Sequence, residues 1–481
     1  MIQVSAPHAA PRRSRIAWEA TWVVVGGLVG VLAAFLAVKG LWYVVLAMLL
    51  LVPAFVAFQR HPLAGVAIWL AVTPLVAATE SVAIRQMFWM VHRTLPLGVL
   101  LLVLGGAASR AAPRKLARLG LPELFMFAYV GASVLSIVLA TSGGGAQIVL
   151  LYDRVIVPMC LYLIVRLLEP TSHDLRWLAP VALFVLAVEV PIGVMSVAAP
   201  GVLPSIWLVD AQRATGTFGD PDTFGTVMVL CGIVLLHAGA TSTRHWIRLG
   251  STFAFIVALL MVFLTFSRAN WLAGVSALAA AIWIYRARIR ALVVAAPLLL
   301  VALLAIGLLQ GPLSFAHERL ESAQARESAL ARLPVGLAAL RMFDERPLAG
   351  WGYGTFDRYA RPYFSGVANL ASAEKDHASH NLFLTILAEQ GAIGLLCFIF
   401  PTVLWARRSF GAYGWMPMSE RRMLAGLWVV VGAFFLVNNF SVMKSSYGLG
   451  VWWLTLGLVA SIVDRFEPPR RLGVIEPEVA S

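Results

Sequence analysis

Two arginines and a histidine stand out because each lies at the edge of an apolar run, where a charged side chain is costly to keep. Arg213 lies in the turn RATGTFGDPDTFG (213–225), just before an apolar run. Its planar guanidinium is suited to phosphate oxygens; the alternative is a solvated arginine beside a capped loop. Within this turn we expect Asp220 to cap the following helix and Pro221 to lie in its first turn.

Arg268 lies in FLTFSRANW (263–271), at the tip between two strongly apolar runs. A single basic residue on the outer side of a membrane runs against the usual charge bias, which favours a functional role. The alternative is an interfacial anchor whose aliphatic stem lies beside Trp271. Both arginines are therefore candidates to bind an anionic group.

His380 lies in DHASHNLFLTILAEQGAIG (376–394), at the start of another apolar run. We expect Ser379 to cap this helix and to place His380 in its first turn, where the helix dipole favours a neutral, proton-accepting ring. The alternative is a histidine satisfied at the interface. Glu389 follows nine residues later on the opposite face, so we expect it to hold a neighbouring helix and not to act with His380.

The pair Asp153 and Arg154 lies about one turn inside a further apolar run. Ionisable residues at that depth usually face a bundle interior, so we expect a self-satisfying pair, with a phosphate contact of Arg154 as the alternative. His377 and His380 lack an evident third ligand, which argues against a metal site. The sequence has no glycine-rich loop with Lys-Ser/Thr, which argues against an ATP-driven pump.

These candidates are embedded in a chain with the composition of a membrane protein. Hydrophobic residues make up 60% of its 481 positions and charged residues 13%, against about half and about a quarter in soluble domains. The net charge of +13 would suggest nucleic acid as the partner of a soluble protein, but here we interpret it as a topology signal. The three cysteines, Cys160, Cys231 and Cys397, lie inside apolar runs, which argues against a disulfide framework.

Apolar runs of about 20 residues predict an all-α, polytopic transmembrane bundle of about 12–14 spans. We place them near residues 20–38, 41–59, 62–78, 95–108, 122–141, 148–168, 177–198, 222–241, 247–266, 270–285, 291–309, 380–405, 423–441 and 447–464. With a cytoplasmic N-terminus, most basic residues fall in cytoplasmic loops. The outer loops then hold only Lys39, Arg85, Arg93, Arg213, Arg268 and Lys444. This distribution predicts that both termini are cytoplasmic and that Arg213, Arg268 and His380 share the outer side.

One segment, residues 310–379, is too long and too polar to be a tight connection between spans. We expect an amphipathic helix over 317–333 that ends at Pro334. The stretch from Pro347 to Gly366 is rich in glycine and aromatic residues. A loop this long in a tight bundle is usually functional or disordered, and the aromatic content favours order.

Four segments in this order resemble the O-antigen ligase superfamily: RATGTFGDPDTFG, TFSRANW, RMFDERPLAGWGYGTF and SHNLFLTILAEQGAIG. This superfamily includes O-antigen polymerases and bacterial protein O-oligosaccharyltransferases. The resemblance covers about residues 213–400, although the family more often has asparagine where this chain has Asp220 and Asp222. It implies a fold similar to that of C-type glycosyltransferases, with a long periplasmic loop.

The resemblance also implies an enzyme of the bacterial inner membrane that uses no nucleotide, metal or other cofactor. Such an enzyme takes a glycan from undecaprenyl diphosphate and moves it to an acceptor hydroxyl at the periplasmic face. Arg213 and Arg268 would neutralise the diphosphate leaving group, and His380 would accept the hydroxyl proton. Further candidates to bind the diphosphate or the acceptor are Arg154, Arg341 and Asn381.

The implied organisation has N-terminal transmembrane helices in 1–200, a catalytic region in 201–410 that includes the loop 310–379, and C-terminal helices with a cytoplasmic tail in 411–481. Expected partners are the lipid-linked donor, a lipid core or growing glycan as acceptor, membrane lipids and polysaccharide-assembly proteins, but no nucleic acid. Two other hypotheses remain open: a polysaccharide flippase or secondary transporter, and a non-catalytic scaffold. The clustering of charged candidates at one surface, with few in mid-span, favours the enzyme.

Overall fold

A computed structural model describes residues 38, 56–77, 88–108, 116–140, 144–171, 174–204, 207, 213–285, 323–364, 380–441 and 445–466, without the side chains of 323–331. The chain divides into two compact units, Met1–His61 and Pro62–Ser481. All elements named below belong to the second unit. The predicted division at residues 200 and 410 concerns function and stays a prediction.

Twelve long helices make up most of the described part of the second unit, which contains no β-strand. In chain order they are α1 (Pro62–Ala77), α2 (Leu95–Ala108), α3 (Leu121–Leu139), α4 (Gly144–Leu168), α5 (Leu178–Ala198), α6 (Pro221–Thr241), α7 (His245–Leu264), α8 (Arg268–Ile284), α9 (Ala323–Glu345), α10 (Leu382–Tyr413), α11 (Met418–Asn438) and α12 (Ser446–Phe466). Eight helices of the described residues are long and apolar enough to span a membrane. The predicted all-α, polytopic membrane fold is thereby confirmed.

Each predicted span that falls within the described residues corresponds to one of these helices. Helix length follows from the apolar runs, because a run of about 20 residues is what crosses the hydrocarbon core. The predicted spans 20–38, 41–59 and 291–309 lie almost wholly outside the described residues. The total of 12–14 spans and the cytoplasmic termini therefore stay predictions.

The centre of the bundle is formed by α12 and α6, whose most apolar windows are 94% and 83% buried. Helix α12 packs against α4 and α10, and α6 packs against α7 and α11. A hydrogen bond joins the start of α12 to α1 next to a proline. Pro74 lies inside α1 and has no N–H to donate to the carbonyl of Leu70. The hydroxyl of Tyr447 donates to that carbonyl instead, at 2.7 Å.

Helix α9 corrects one expectation. The helix does not end at Pro334 but continues to Glu345 with this proline inside it. Beyond Pro334, the buried residues Val335, Ala338 and Met342 belong to one apolar cluster. Burial of this face offsets the hydrogen bond that the proline removes. Residues 310–322 of the predicted loop lie outside the described residues.

The α9 segment (residues 323–364) packs on a break in α10. At Gly391 the backbone has φ 67° and ψ −167°, which interrupts the helix. The backbone groups freed there bond to the α9 segment: Trp351 N to Ala388 O (3.0 Å), Gly352 N to Glu389 O (2.8 Å) and Ala392 N to Pro347 O (2.8 Å). Two short helical turns, Phe356–Tyr359 and Arg361–Phe364, complete the segment. The predicted order of its glycine- and aromatic-rich stretch is confirmed over 347–364.

Candidate active site

The turn that carries Arg213 is fixed by the ends of two helices. From α5, the hydroxyl of Ser196 donates to the Arg213 carbonyl at 2.9 Å. From the end of α7, the carbonyl of Leu264 accepts from Ala214 N, and that of Thr265 accepts from Arg213 Nε, both at 2.8 Å. Arg213 is partly buried, and both its backbone and the root of its guanidinium group are held in place.

The predicted cap of the next helix is confirmed. Asp220 is the N-cap of α6 and accepts from Asp222 N at 3.2 Å and from Thr223 N at 3.0 Å. Pro221 is the first residue of the helix. Burial raises the pKa of the Asp220 carboxyl, and the neighbouring Asp222 raises it further. These contacts give Asp220 a structural role in the turn.

Asp222 joins the start of α6 to the start of α8. Its Oδ1 accepts from the Ser267 hydroxyl at 2.8 Å and from Asn270 Nδ2 at 3.3 Å. Arg268 lies between these two donors, as the exposed first residue of α8. Because Arg213 bonds to Thr265, three residues before Arg268, the two arginines lie at the same junction between α6, α7 and α8.

His380 lies just outside the helix that was expected to contain it. The cap of α10 is Asn381, whose Oδ1 accepts from Phe383 N at 2.9 Å and Leu384 N at 3.0 Å. The expectation that Ser379 caps this helix and that His380 lies in its first turn is therefore wrong. Asparagine is as good a cap as serine, and capping at Asn381 leaves the histidine one residue ahead of the cap. Ser379 and His377 lie outside the described residues.

Asn381 also ties the His380 end of α10 to α11. Its Nδ2 donates to the carbonyl and to Oδ1 of Asn439 at 3.1 and 3.0 Å, directly after α11 ends. Helix α11 packs along α8, and a Cβ built on Gly426, in the first half of α11, would lie 3.8 Å from the hydroxyl oxygen of Tyr285, directly after α8 ends. The two helices are therefore antiparallel, and α11 ends near Arg268, where α8 begins. His380 and the two arginines thus lie at the same end of the bundle, which we call the site end. A contact of Asn381 with substrate stays a prediction.

Backbone strain is concentrated at this site end. Three non-glycine residues in the described part of the chain have positive φ: Phe266 (48°), His380 (53°) and Glu169 (44°). Phe266 lies in the short connection between the Thr265 carbonyl and Arg268, and His380 is itself a candidate. Such conformations persist where the surrounding structure over-determines them, and they cluster at functional sites.

The expected pair of Asp153 and Arg154 is also wrong. Asp153 does not pair with Arg154 but with Arg93, which donates to it from Nε at 2.7 Å and Nη2 at 2.6 Å. Neighbouring residues on a helix point about 100° apart, so they do not face each other. The pair forms where two π-helical turns meet, Trp89–Thr94 and Tyr152–Ile156.

Arg154 itself lies toward the α9 segment, where it interacts electrostatically with Tyr353 and Glu389. Burial and the neighbouring Tyr129 raise the pKa of the Tyr353 hydroxyl well above its ordinary value. The interaction of Arg154 with a phosphate stays a prediction.

Glu389 also differs from its expected role. It was expected to hold a neighbouring helix, but its two oxygens accept from Gly354 N at 2.8 Å and Phe356 N at 2.9 Å. The carboxylate therefore anchors the α9 segment. The reason is the break at Gly391, which brings that segment within reach of α10.

Arg341 lies on the exposed side of the α9 segment, where its Nη1 donates to the Tyr363 carbonyl at 2.8 Å. The Tyr363 hydroxyl donates to Glu345 at 2.6 Å, and burial together with this carboxylate raises the tyrosine pKa to about 12. These contacts give Arg341 a role in the segment, and binding of substrate by Arg341 stays a prediction.

Glu189 is a residue that the sequence analysis missed. It is buried in the middle of α5 and accepts from the backbone N–H of Thr217 at 2.8 Å and from its hydroxyl at 2.6 Å. Thr217 belongs to the Arg213 turn. The signal was present in the sequence, because a lone carboxylate in the run VLAVEVPIGV (185–194) is costly in a membrane.

The described residues contain no group of three or more His, Cys, Asp or Glu side chains that could hold a metal ion. The site is thus built from arginines, a histidine and the hydroxyl, amide and carboxylate groups that position them.

A comparison with known families finds one match. Residues 253–399 match the family described as O-Antigen ligase. The matched part contains Arg268, Arg341, His380 and Asn381 and begins after Arg213. No curated protein matches the chain significantly. The match confirms the predicted similarity to the O-antigen ligase superfamily and contains three of the four segments, all but RATGTFGDPDTFG. It supports a membrane enzyme of the glycosyltransferase type.

Proposed function

We propose that this chain, which is similar to O-antigen ligases over residues 253–399, transfers a glycan from undecaprenyl diphosphate to an acceptor hydroxyl. We place the reaction at the periplasmic face of the bacterial inner membrane, without metal or nucleotide. The acceptor is a lipid core in a ligase or another lipid-linked repeat in a polymerase. The observation that supports the proposal best is that Arg213 and Arg268 lie at the same junction of α6, α7 and α8.

The two arginines are suited to a diphosphate leaving group. The Nε of Arg213 donates to the neutral carbonyl of Thr265, and this contact directs the guanidinium group. Arg268 stands at the start of α8, the positive end of the helix dipole. Ser267, the N-cap of α8, donates its hydroxyl to Asp222 and, within the described contacts, does not cap the helix with its side chain. Positive groups that are already in position before the reaction stabilise the negative charge that develops on the leaving oxygen.

We assign to His380 the role of accepting the proton of the acceptor hydroxyl. The acceptor hydroxyl attacks the anomeric carbon of the donor sugar, the bond from that carbon to the diphosphate oxygen breaks, and the diphosphate leaves with the electron pair. The proton of the hydroxyl passes to the His380 imidazole. No nucleotide is consumed, because the energy is carried by the sugar–diphosphate bond of the donor.

The transporter hypothesis has one observation in its favour. Helix α10 is broken at Gly391, and transporters often bind substrate at broken helices. Here the freed backbone groups bond to the α9 segment, at Trp351, Gly352 and Pro347. The break is therefore used inside the protein, which favours the enzyme over the transporter.

The proposal is tested with purified protein in lipid vesicles, a polyprenyl-diphosphate-linked glycan and an acceptor. We expect release of polyprenyl diphosphate together with glycan on the acceptor, unchanged by EDTA. His380→Ala should abolish the release while the protein still inserts. His245→Ala, an exposed histidine at the start of α7, is the matched control and should leave it unchanged. Movement of the lipid-linked glycan across vesicles without release would instead identify a transporter.

A further inference from the structure

A buried carboxylate lies under the Arg213 turn and has no part in the chemistry proposed above. Glu189 is 1% exposed, and both of its oxygens are taken by one residue, Thr217. Burying a carboxylate in a membrane carries a large free-energy penalty. This penalty is large compared with the two hydrogen bonds to one threonine that the carboxylate makes here. Thr217 follows Arg213 by four residues in the same turn.

The turn is pressed closely onto this carboxylate. Gly216 has φ +56°, and a Cβ built on it would lie 2.1 Å from Glu189 Oε2. Only glycine fits both the backbone conformation and the space. Gly216 and Thr217 are therefore the residues of the turn that fit against the Glu189 carboxylate.

Glu189 is one of three points that hold the turn. Ser196 lies seven residues further along the same face of α5 and donates to the Arg213 carbonyl at 2.9 Å. On the other side, the Thr265 carbonyl takes Arg213 Nε at 2.8 Å. Helix α5 thus fixes the backbone of the turn, and the end of α7 fixes the base of the guanidinium group, so that its terminal nitrogens are directed from a rigid support.

We propose that Glu189 is a positioning residue for Arg213: by binding Thr217 it sets the place from which the guanidinium group meets the diphosphate. This inference rests on the proposed function for the role of Arg213, but not for the position of the turn. A carboxylate that only stabilises the bundle would affect folding without a specific relation to Arg213. The two roles are separated by the experiments below.

The first experiment measures the position of the turn without any transfer reaction. Arg213→Cys is labelled with a hydrophilic maleimide in vesicles, with and without Glu189→Ala. The native cysteines are all buried, which keeps the background low. Loss of two hydrogen bonds should raise the labelling rate about tenfold or more. Glu420→Ala, a buried carboxylate at the other end of the bundle, is the matched control and should not raise it. An unchanged rate with Glu189→Ala overturns the inference.

The second experiment is a double-mutant cycle on glycan transfer. Glu189→Ala should lower kcat/KM for the lipid diphosphate donor about 10–100-fold, as expected when a charged group loses its placement. The KM for the acceptor should not change. In the Arg213→Ala background the same substitution should cost little further, because the group it positions is already gone. An equal loss in both backgrounds would show a general structural role.

Thr217 keeps the inference testable if Glu189→Ala does not fold. Thr217→Val removes only the hydroxyl contact of 2.6 Å and should reproduce the effect in part, whereas Thr217→Ser keeps the hydroxyl and should restore transfer. If the wild-type protein shows no transfer but labelling still rises with Glu189→Ala, the proposed function fails and the positioning of the turn stands.

Discussion

Two regions of the bundle, the network around Arg166 and the Arg213 turn, hold their arginines by different contacts. At the end opposite the site, the buried Arg166 donates to Glu123 at 3.1 Å and to Glu169 at 3.3 Å. It also pairs with Asp464, which in turn pairs with Arg408. Four helices, α3, α4, α10 and α12, are joined by this network. Here the positive charges are neutralised by carboxylates.

At the site end, the contact that holds Arg213 is with the Thr265 carbonyl, and Arg268 is exposed at the start of α8. The carboxylate between them, Asp222, accepts from Ser267 and Asn270. A carboxylate partner fixes an arginine through an ion pair, whereas a carbonyl fixes it through a hydrogen bond to a neutral group. The described contacts of Arg166 are thus mainly with carboxylates, whereas the described contact of the Arg213 guanidinium group is with a neutral carbonyl.

The largest effect that this comparison predicts is on stability. Arg166→Ala would leave the carboxylates of Glu123 and Asp464 without their central partner. We expect the free energy of unfolding to fall by about 3–5 kcal/mol, measured by thermal or denaturant unfolding in detergent. Transfer per folded molecule should be unchanged. Arg465→Ala is the control: its contact with Glu420 is longer, at 3.5 Å, and its loss should cost much less. Equal losses for both would contradict a special role of the Arg166 network.

The second prediction concerns transfer activity, with little expected change in stability. Arg213→Lys and Arg268→Lys keep the charge but lose the planar fork, so kcat/KM for the donor should fall about 10²–10³-fold with little change in unfolding temperature. Arg408→Lys at the opposite end is the matched substitution and should leave transfer intact. A comparable loss of transfer in Arg408→Lys would show that transfer does not depend specifically on Arg213 and Arg268.

The sequence predicts well what depends on one local property. Apolar length predicted every span in the described residues, and the pattern Asp220-Pro221 predicted the start of α6. The positions of Arg213 and Arg268 also follow from the apolar runs, because Arg213 lies in the connection between two runs and Arg268 lies where one run stops and the next begins.

What the sequence could not predict depends on partners that are distant along the chain. Arg93 lies 60 residues from Asp153, and Glu389 lies 33 residues from Phe356, with the break at Gly391 deciding that contact. The course of α9 through Pro334 was missed because burial of its apolar face outweighs a local rule. Pairing of this kind is set by packing, which no single apolar run records.

The third prediction concerns the break that brings Glu389 and the α9 segment together. A Cβ at Gly391 would lie 2.3 Å from the Leu348 carbonyl oxygen, at φ +67°. Gly391→Ala should therefore cost about 1–3 kcal/mol and speed proteolysis of residues 347–364. Gly411 lies further along α10 with no atom near its Cβ position, so Gly411→Ala should be neutral or slightly stabilising. Unchanged proteolysis in Gly391→Ala would mean that the segment is not held by the break.

The smallest predicted effect concerns an uncharged contact beside the Arg213 turn. Tyr447 donates to the Leu70 carbonyl that Pro74 leaves without a helical donor, and its ring packs 5.2 Å from Phe218 in the Arg213 turn. Tyr447→Phe keeps the ring and removes only the hydroxyl, so unfolding should become easier by about 1–2 kcal/mol.

Pro74→Ala supplies the missing N–H to Leu70 and should recover most of that loss in the double variant, because the buried carbonyl again has a donor. The double variant is compared with Pro74→Ala alone by unfolding in detergent. If Tyr447→Phe cost as much as Arg166→Ala, or if Pro74→Ala gave no recovery, the contrast between the ionic Arg166 network and the uncharged contacts beside the Arg213 turn would not hold. Recovery would instead show that the Leu70 carbonyl needs one donor, which either the Tyr447 hydroxyl or a helical N–H can supply.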